Sequence, residues 1–253
     1  MKVTVLQKNI IWADPQSNVI RADEAIDNNP GSDLYILPEM FSTGFCTQPE
    51  GIAESADSET LSWMKTKAAQ INAAIAGSIA VHEDGKYYNR FYFVKPDGTV
   101  ATYDKKHLFT FGGEDKHFTA GTERVIVTYM GVRILLEICY DLRFPIWARN
   151  RKDYDMIIYV ASWPTPRVEA WKALLTARAI ENQCYVAGVN RVGSDPSNEY
   201  SGGTRIVDPY GKIMAECEDE KEMEVTADVD MEVLDAFRKK FPVLNDADYE
   251  NIQ

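Results

Sequence analysis

The chain has 253 residues, of which 45% are hydrophobic and 26% charged, an ordinary globular composition with room for a sizeable core. Lys and Arg number 27 against 39 Asp and Glu, and a net charge of −12 argues against non-specific nucleic-acid binding and against docking on anionic membranes, which both need a basic face. Four scattered cysteines form no CxxC pair and three histidines show no HExxH spacing, so neither a zinc site nor a bound cofactor is expected.

Strand-like and helix-like runs alternate along the chain. VTVLQ at 3–7 reads as a strand, and Asp14-Pro15 supplies a cap and a first-turn proline for a helix to about Asn28. DLYILP at 33–38 is a short buried strand closed by its proline. A second helix starts at Ala56–Ser58, with apolar spacing at Leu61, Met64 and Ala68, and the strand AAIAGSIAV follows. Tyr87–Lys95 and Thr99–Lys105 flank Pro96-Asp97-Gly98 as an antiparallel hairpin, and Val125–Tyr129 and Val132–Ile138 flank Met130-Gly131 as another. A helix is expected from about Pro145, a doubly buried strand at Asp155–Ala161, a helix at Glu169–Asn182 and a strand at Cys184–Asn190. Gly202–Pro209 and Lys212–Cys217 form a last hairpin, followed by a strand at Met223–Val229 and a helix at Met231–Lys240. The acidic run Glu216–Glu224 reads as a solvated loop or strand end. With no linker or repeat, the reading is one α/β domain over residues 1–253. The N-terminus lacks a signal-peptide core, and no apolar stretch can span a bilayer, so a reduced cytoplasmic location is the default.

Three apolar strands end in ionisable groups. RILLEICYDLRFP at 133–145 runs an apolar strand into Cys139, where a turn and helix start would lower a thiol pKa and cradle an oxyanion. LPEMF places Glu39 just after a buried strand, and YDKKHLF places Lys105 near the end of a hairpin strand with Lys106 on the opposite face. Singly, these are a buried structural cysteine, a surface acid and a surface lysine. Together they matter, because such strand ends gather at one rim of an α/β sheet.

At this point the sequence resembles the carbon–nitrogen hydrolases of the nitrilase superfamily, with LPEMF, KKHLF and ICYDLRFP as the Glu, Lys and Cys motifs in order. The resemblance covers essentially the whole chain. It selects Lys105, two positions before His107, and places a second glutamate at Glu114, in GGEDKHFTAG ahead of Gly121. ASWPTPR, LLTARAIENQCYVAGVNRVG and SGGTRIVDPYGKI look like the omega-amidase branch, which hydrolyses the terminal amide of 2-oxoglutaramate and 2-oxosuccinamate. The resemblance implies a four-layer αββα sandwich and association through outer helices as a homodimer or larger assembly.

The chemistry it implies is acyl transfer through a Cys139 thioester. Glu39 is the expected general base, and Lys105 with the Tyr140 backbone N–H the oxyanion donors. Glu114 is expected to hold Lys105 or the substrate amide. A Cys139–His107 pair is the competing arrangement, but His107 shares the side-chain phase of Lys105 and is expected to be a structural hydrogen-bonding residue. A substrate carboxylate calls for an arginine. Arg167 is the first candidate, while Arg143 is expected to pair internally with Asp141. Phe41, Phe45, Phe109 and Trp163 are expected pocket walls, and Cys46, Cys184 and Cys217 packing residues. The alternatives are a nitrilase, a carbamoyl-amino-acid hydrolase or another aliphatic amidase, and, from a different class, a non-catalytic oligomeric scaffold.

Overall fold

The computed structural model describes residues 1–247. Its elements in chain order are β1 (Lys2–Gln7), α1 (Pro15–Asp27), β2 (Leu34–Ile36), β3 (Glu54–Ser55), α2 (Glu59–Ile71), β4 (Ala74–Glu83), β5 (Lys86–Val94), β6 (Val100–Asp104), β7 (Ile126–Tyr129), β8 (Val132–Ile138) and α3 (Pro145–Ala148). There follow β9 (Met156–Val160), α4 (Val168–Asn182), β10 (Tyr185–Val189), β11 (Val192–Ser194), β12 (Glu199–Ser201), β13 (Arg205–Val207), β14 (Ile213–Glu216), β15 (Met223–Asp228) and α5 (Met231–Lys240). The helices begin where capping chemistry allows. Asp14 accepts the Ser17 N–H at 3.1 Å ahead of Pro15, and Ser58 accepts the Leu61 N–H at 3.2 Å.

One sheet has the order β15-β1-β2-β4-β5-β6 with β3 beside β4, a second the order β14-β13-β10-β9-β8-β7, and β11 and β12 form a separate hairpin. Period-two alternation assigns the faces. Val3, Val5, Leu34, Ile36, Phe91 and Phe93 of the first sheet meet Ile134, Leu136, Ile138, Met156, Ile158 and Val160 of the second in a central core. The residues between them face outward, Tyr35 and Ile75 under Ala22, Ile26, Leu61 and Met64 of α1 and α2, Leu135, Ile157 and Val186 under Trp171, Leu175 and Ala179 of α4. Strands covered on both faces explain the unbroken apolar runs, and the four layers are the αββα sandwich expected above. Each buried aliphatic side chain contributes about 1.5–3 kcal/mol.

The expected helix after Cys139 is much shorter than anticipated. A 3₁₀ segment over Cys139–Arg143 leads into the single turn of α3, which stops where Arg149 turns extended. The β11–β12 hairpin was not anticipated, although Asp195-Pro196-Ser197-Asn198 carries a turn signature. Among the described residues no helix is long and apolar enough to cross a membrane.

Asp155 clamps three elements together. It lies just ahead of β9, is 2% exposed, and accepts Arg133 Nε and Nη2 of β8 at 2.9 and 2.7 Å and Arg238 Nη1 of α5 at 2.6 Å. Burial opposes its ionisation, but the bonds from Arg133 and Arg238 outweigh burial and hold its pKa below the ordinary value. A depressed carboxylate stabilises the fold above its unfolded pKa and loses that contribution as the pH falls. Asp155→Asn is therefore expected to cost about 2 kcal/mol at neutral pH, discounted because both arginines are partly exposed. Urea melts should show the difference from the parent shrinking as the pH drops into the carboxylate range.

Candidate active site

The site forms where strand ends of the two sheets meet. β1, β2 and β4 are parallel, and β6 runs the same way because antiparallel β5 separates it from β4. β8, β9 and β10 are parallel in the second sheet. Glu39 follows β2 through Leu37-Pro38, Lys105 follows β6, and Cys139 and Ser162 follow β8 and β9. Tyr103 faces the central core, so Lys105, two residues on, faces the same gap. Lys106 turns away and lies over the Trp147 ring at 5.4 Å. Gly121 holds the backbone here: its N–H donates to Lys105 O at 2.9 Å, and a Cβ there would meet Asp104 O at 2.0 Å.

Glu39, Lys105 and Glu114 are fully buried and in contact. Lys105 Nζ donates to Glu39 Oε1 at 2.9 Å and to Glu114 Oε2 and Oε1 at 2.9 and 3.2 Å. The other Glu39 oxygen accepts the Ser162 N–H at 2.7 Å, and Glu114 Oε2 accepts the Phe109 N–H at 2.6 Å. Burial opposes the charge on Lys105, but the Glu114 and Glu39 carboxylates outweigh it, and the ammonium's pKa lies above its ordinary value. Burial raises the pKa of Glu114 and the charge on Glu39 adds to it, against the pull of Lys105.

Cys139 opens the 3₁₀ segment at a φ of +46°, a left-handed conformation that costs a non-glycine residue about 1–2 kcal/mol and turns its side chain out of the strand alternation. Its thiol faces the Glu39 carboxylate and the Ser162 N–H. Burial and then the Glu39 charge push the thiol pKa well above normal, with Lys105 pulling the other way. A resting thiolate is thereby disfavoured, the reverse of the lowered thiol pKa expected at this strand end, so nucleophilicity has to be generated by proton transfer.

Cys139 and Lys105 lie on the wall of a cavity of about 40 Å³ that is also lined by Phe45, Phe109, Tyr140, Arg143, Trp163 and Arg167. That is far below the roughly 150 Å³ of an apolar cavity that admits benzene, so the inner space suits a small linear acyl group. Outside it opens a vestibule of about 500 Å³ that shares Phe45, Phe109, Arg167 and Asn198. Arg143 lies over the Trp163 ring at 4.9 Å and Arg167 over the Phe109 ring at 5.5 Å. Neither guanidinium has a carboxylate partner among the described residues.

Three sequence expectations need correction or placement. Phe41 is core, not pocket wall: Met40, at a φ of +44°, breaks the strand alternation, so the Phe41 ring turns from the Glu39 side toward Trp63, 6.1 Å away, and fills the space over Gly77. Arg143 does not pair with Asp141, whose oxygens are taken by Tyr103 Oη at 2.8 Å, the His107 N–H at 2.9 Å and the Ile138 N–H at 3.0 Å. His107 Nδ1 sits 2.7 Å from Asp141 with its ring stacked on Phe144, a structural place apart from the thiol. Sequence reasoning missed Asn89, the Ser162 N–H, and Tyr200 and Asn198 of the β11–β12 hairpin, both of which line the cavity. Asn89 had a readable signal, a lone amide on the same face as Phe91 and Phe93.

An αββα sandwich with a thiol, a carboxylate and an ammonium meeting at the rim between its sheets is the architecture of an amide-hydrolysing carbon–nitrogen hydrolase. The chain belongs to the carbon–nitrogen hydrolase family, which matches residues 2–239. It is 47% identical to the omega-amidase YafV of Escherichia coli strain K12 over 98% of this chain and 97% of that one, and 36% identical to a 2-oxoglutaramate amidase of Bacillus subtilis over 96% of each. In structure it matches a CN-hydrolase superfamily protein from Xanthomonas campestris described with an arsenic adduct in its active site, at a TM-score of 0.95 and 40% identity over 98% and 97% of the two chains.

Proposed function

We propose that the protein is an omega-amidase that hydrolyses the terminal amide of 2-oxoglutaramate and 2-oxosuccinamate to the acid and ammonia. The observation that carries this reading is a Cys139 thiol facing Glu39, beside the Lys105 ammonium, in a small cavity with two arginines that have no carboxylate partner among the described residues. The two relatives named above support the substrate class.

Glu39 takes the thiol proton as Cys139 Sγ attacks the amide carbonyl carbon. The oxyanion is held by Lys105 Nζ and the Tyr140 N–H, at the second residue of the 3₁₀ turn. Glu39 returns the proton to the departing nitrogen, ammonia leaves, and a thioester remains. Glu39 then takes a proton from water, hydroxide adds to the thioester, and collapse expels the sulfur, which regains its proton. The net change is amide plus water to acid plus ammonia. Glu114 holds Lys105 in place rather than exchanging protons, since its oxygens accept from Lys105 and the Phe109 N–H while the thiol faces Glu39. Arg143 and Arg167 bind the far carboxylate of the substrate, with Phe109 and Trp163 as supporting walls. The working form is a cytoplasmic homo-oligomer, supported by Ile146 and Ile180 lying exposed on the outer layer at 62% and 52%.

Ammonia release across 2-oxoglutaramate, glutamine, asparagine, a simple nitrile and a carbamoyl amino acid tests the assignment. Release confined to the nitrile or the carbamoyl compound overturns it. Arg143→Ala and Arg167→Ala are each expected to raise KM for 2-oxoglutaramate by about 10- to 100-fold, the loss of a charged hydrogen bond. Turnover of an uncharged short amide should change little. An equal loss on both substrates would refute a role in carboxylate binding.

A further inference from the structure

Two carboxylates that share one lysine in a buried site should not both stay ionised, because like charges in contact force a proton onto one of them. Lys105 Nζ bridges Glu39 Oε1 and Glu114 Oε1, and a second nitrogen bridges the same pair: Asn89 Nδ2 lies 2.8 Å from Glu39 Oε1 and 3.2 Å from Glu114 Oε1. Asn89 is fully buried on β5, and its backbone carbonyl accepts the Lys105 backbone N–H at 3.0 Å. Its amide turns the NH₂ group to the acids and leaves Oδ1 without a partner among the described residues. That orientation has a cost, and what it delivers is a neutral donor wedged between two anions. Asn89 does not line the substrate cavity.

We propose that Asn89 is a positioning residue that keeps Glu39 and Glu114 ionised side by side around a single ammonium, so that Glu39 rests as a base. The inference rests on the amidase reading above and assigns a role to a residue outside its chemistry. A hydrogen bond donated to a carboxylate favours its charged form, and a donor shared by two carboxylates also screens each from the other. The other titratable groups facing the pair are Cys139 from the 3₁₀ segment after β8, Cys46 from the segment after β2 and Tyr200 of β12. All three are neutral donors of weak acidity at neutral pH, so Lys105 is the only cation among the described residues in contact with the acids, and it cannot satisfy both alone.

The test compares the parent with Asn89→Leu and Asn89→Asp from about pH 5 to about pH 9, recording kcat and KM for 2-oxoglutaramate and the rate of Cys139 alkylation by iodoacetamide. The acid limb of kcat is expected to move up by about one to two pH units in Asn89→Leu, with kcat at neutral pH about tenfold lower or more and KM within about twofold of the parent. Asn89→Asp places a third acid in the cluster and should move the limb further. The alkylation profile should shift in the same direction. Acid limbs that stay in place in folded variants, whatever their melting temperatures, would overturn the proposal, since a merely structural amide alters stability and not the limb. If Asn89→Leu does not fold, Asn89→Asp, close to asparagine in shape, carries the comparison alone. Alkylation needs no substrate, so it tests Asn89 even if 2-oxoglutaramate proves not to be hydrolysed.

Discussion

Cys139→Ala is expected to lower ammonia release from 2-oxoglutaramate by about 10⁵- to 10⁶-fold, the scale on which loss of a covalent nucleophile disables a hydrolase. No neighbouring group can take over. His107 is engaged with Asp141 and Phe144, and Cys46, Cys184 and Cys217 are buried in packing positions. The substitution should leave the fold intact, because alanine at this position removes only a sulfur from the cavity wall and accepts the same left-handed backbone no worse than cysteine. Intact-protein mass spectrometry makes the experiment specific: a slow substrate should add its acyl mass to the parent and nothing to the variant. Cys139→Ser keeps a hydroxyl in place, but an alcohol gives up its proton far less readily than a thiol, so it should rank near the alanine variant. An alanine variant retaining even a hundredth of the parent rate would mean that the thiol is not the nucleophile.

The residues at strand ends were legible in the sequence because two local rules suffice to place them. Apolar runs locate the strands, and period two decides that Lys105 shares the face of Tyr103 while Lys106 does not. The rules fail where the backbone leaves regular geometry. Phe41 reads as a neighbour of Glu39 two positions on, yet the left-handed turn at Met40 sends it under α2. Arg143 reads as an internal partner for Asp141 within its motif, but Asp141 is consumed by Tyr103, His107 and Ile138. The Ser162 N–H could not be seen at all, since a backbone donor leaves no mark on residue identity. Asn89 was visible only as an anomaly, a polar residue on a face otherwise filled by Phe91 and Phe93. The four-layer arrangement came from the family resemblance, because which sheet packs on which is set by contacts remote in the chain.

Lys105→Met should damage both rate and stability, and the two effects carry different pH signatures. The lysine is fully buried and faces two fully buried acids, so methionine fills its volume while leaving two like charges with one neutral donor between them. Removing one partner of a buried ion pair costs about 3–5 kcal/mol, and loss of an oxyanion donor costs roughly 10²- to 10³-fold in kcat. The carboxylate pair of the variant, without its ammonium, is expected to hold a proton more readily, which puts its folded pKa above the unfolded value. The folded state then binds more protons than the unfolded state across the range above the ordinary carboxylate pKa, so stability falls as the pH rises. Thermal melts should therefore rank Lys105→Met more stable at about pH 5 than at about pH 8, the opposite slope to that expected for Asp155, whose depressed pKa favours folding at higher pH. The rate should respond the other way, because a protonated Glu39 is no base, and residual activity should climb with pH until unfolding removes it. A variant that melts like the parent at both pH values would show that the two acids do not depend on Lys105 for compensation, and the reading of the cluster as two ionised carboxylates around one ammonium would fall with it.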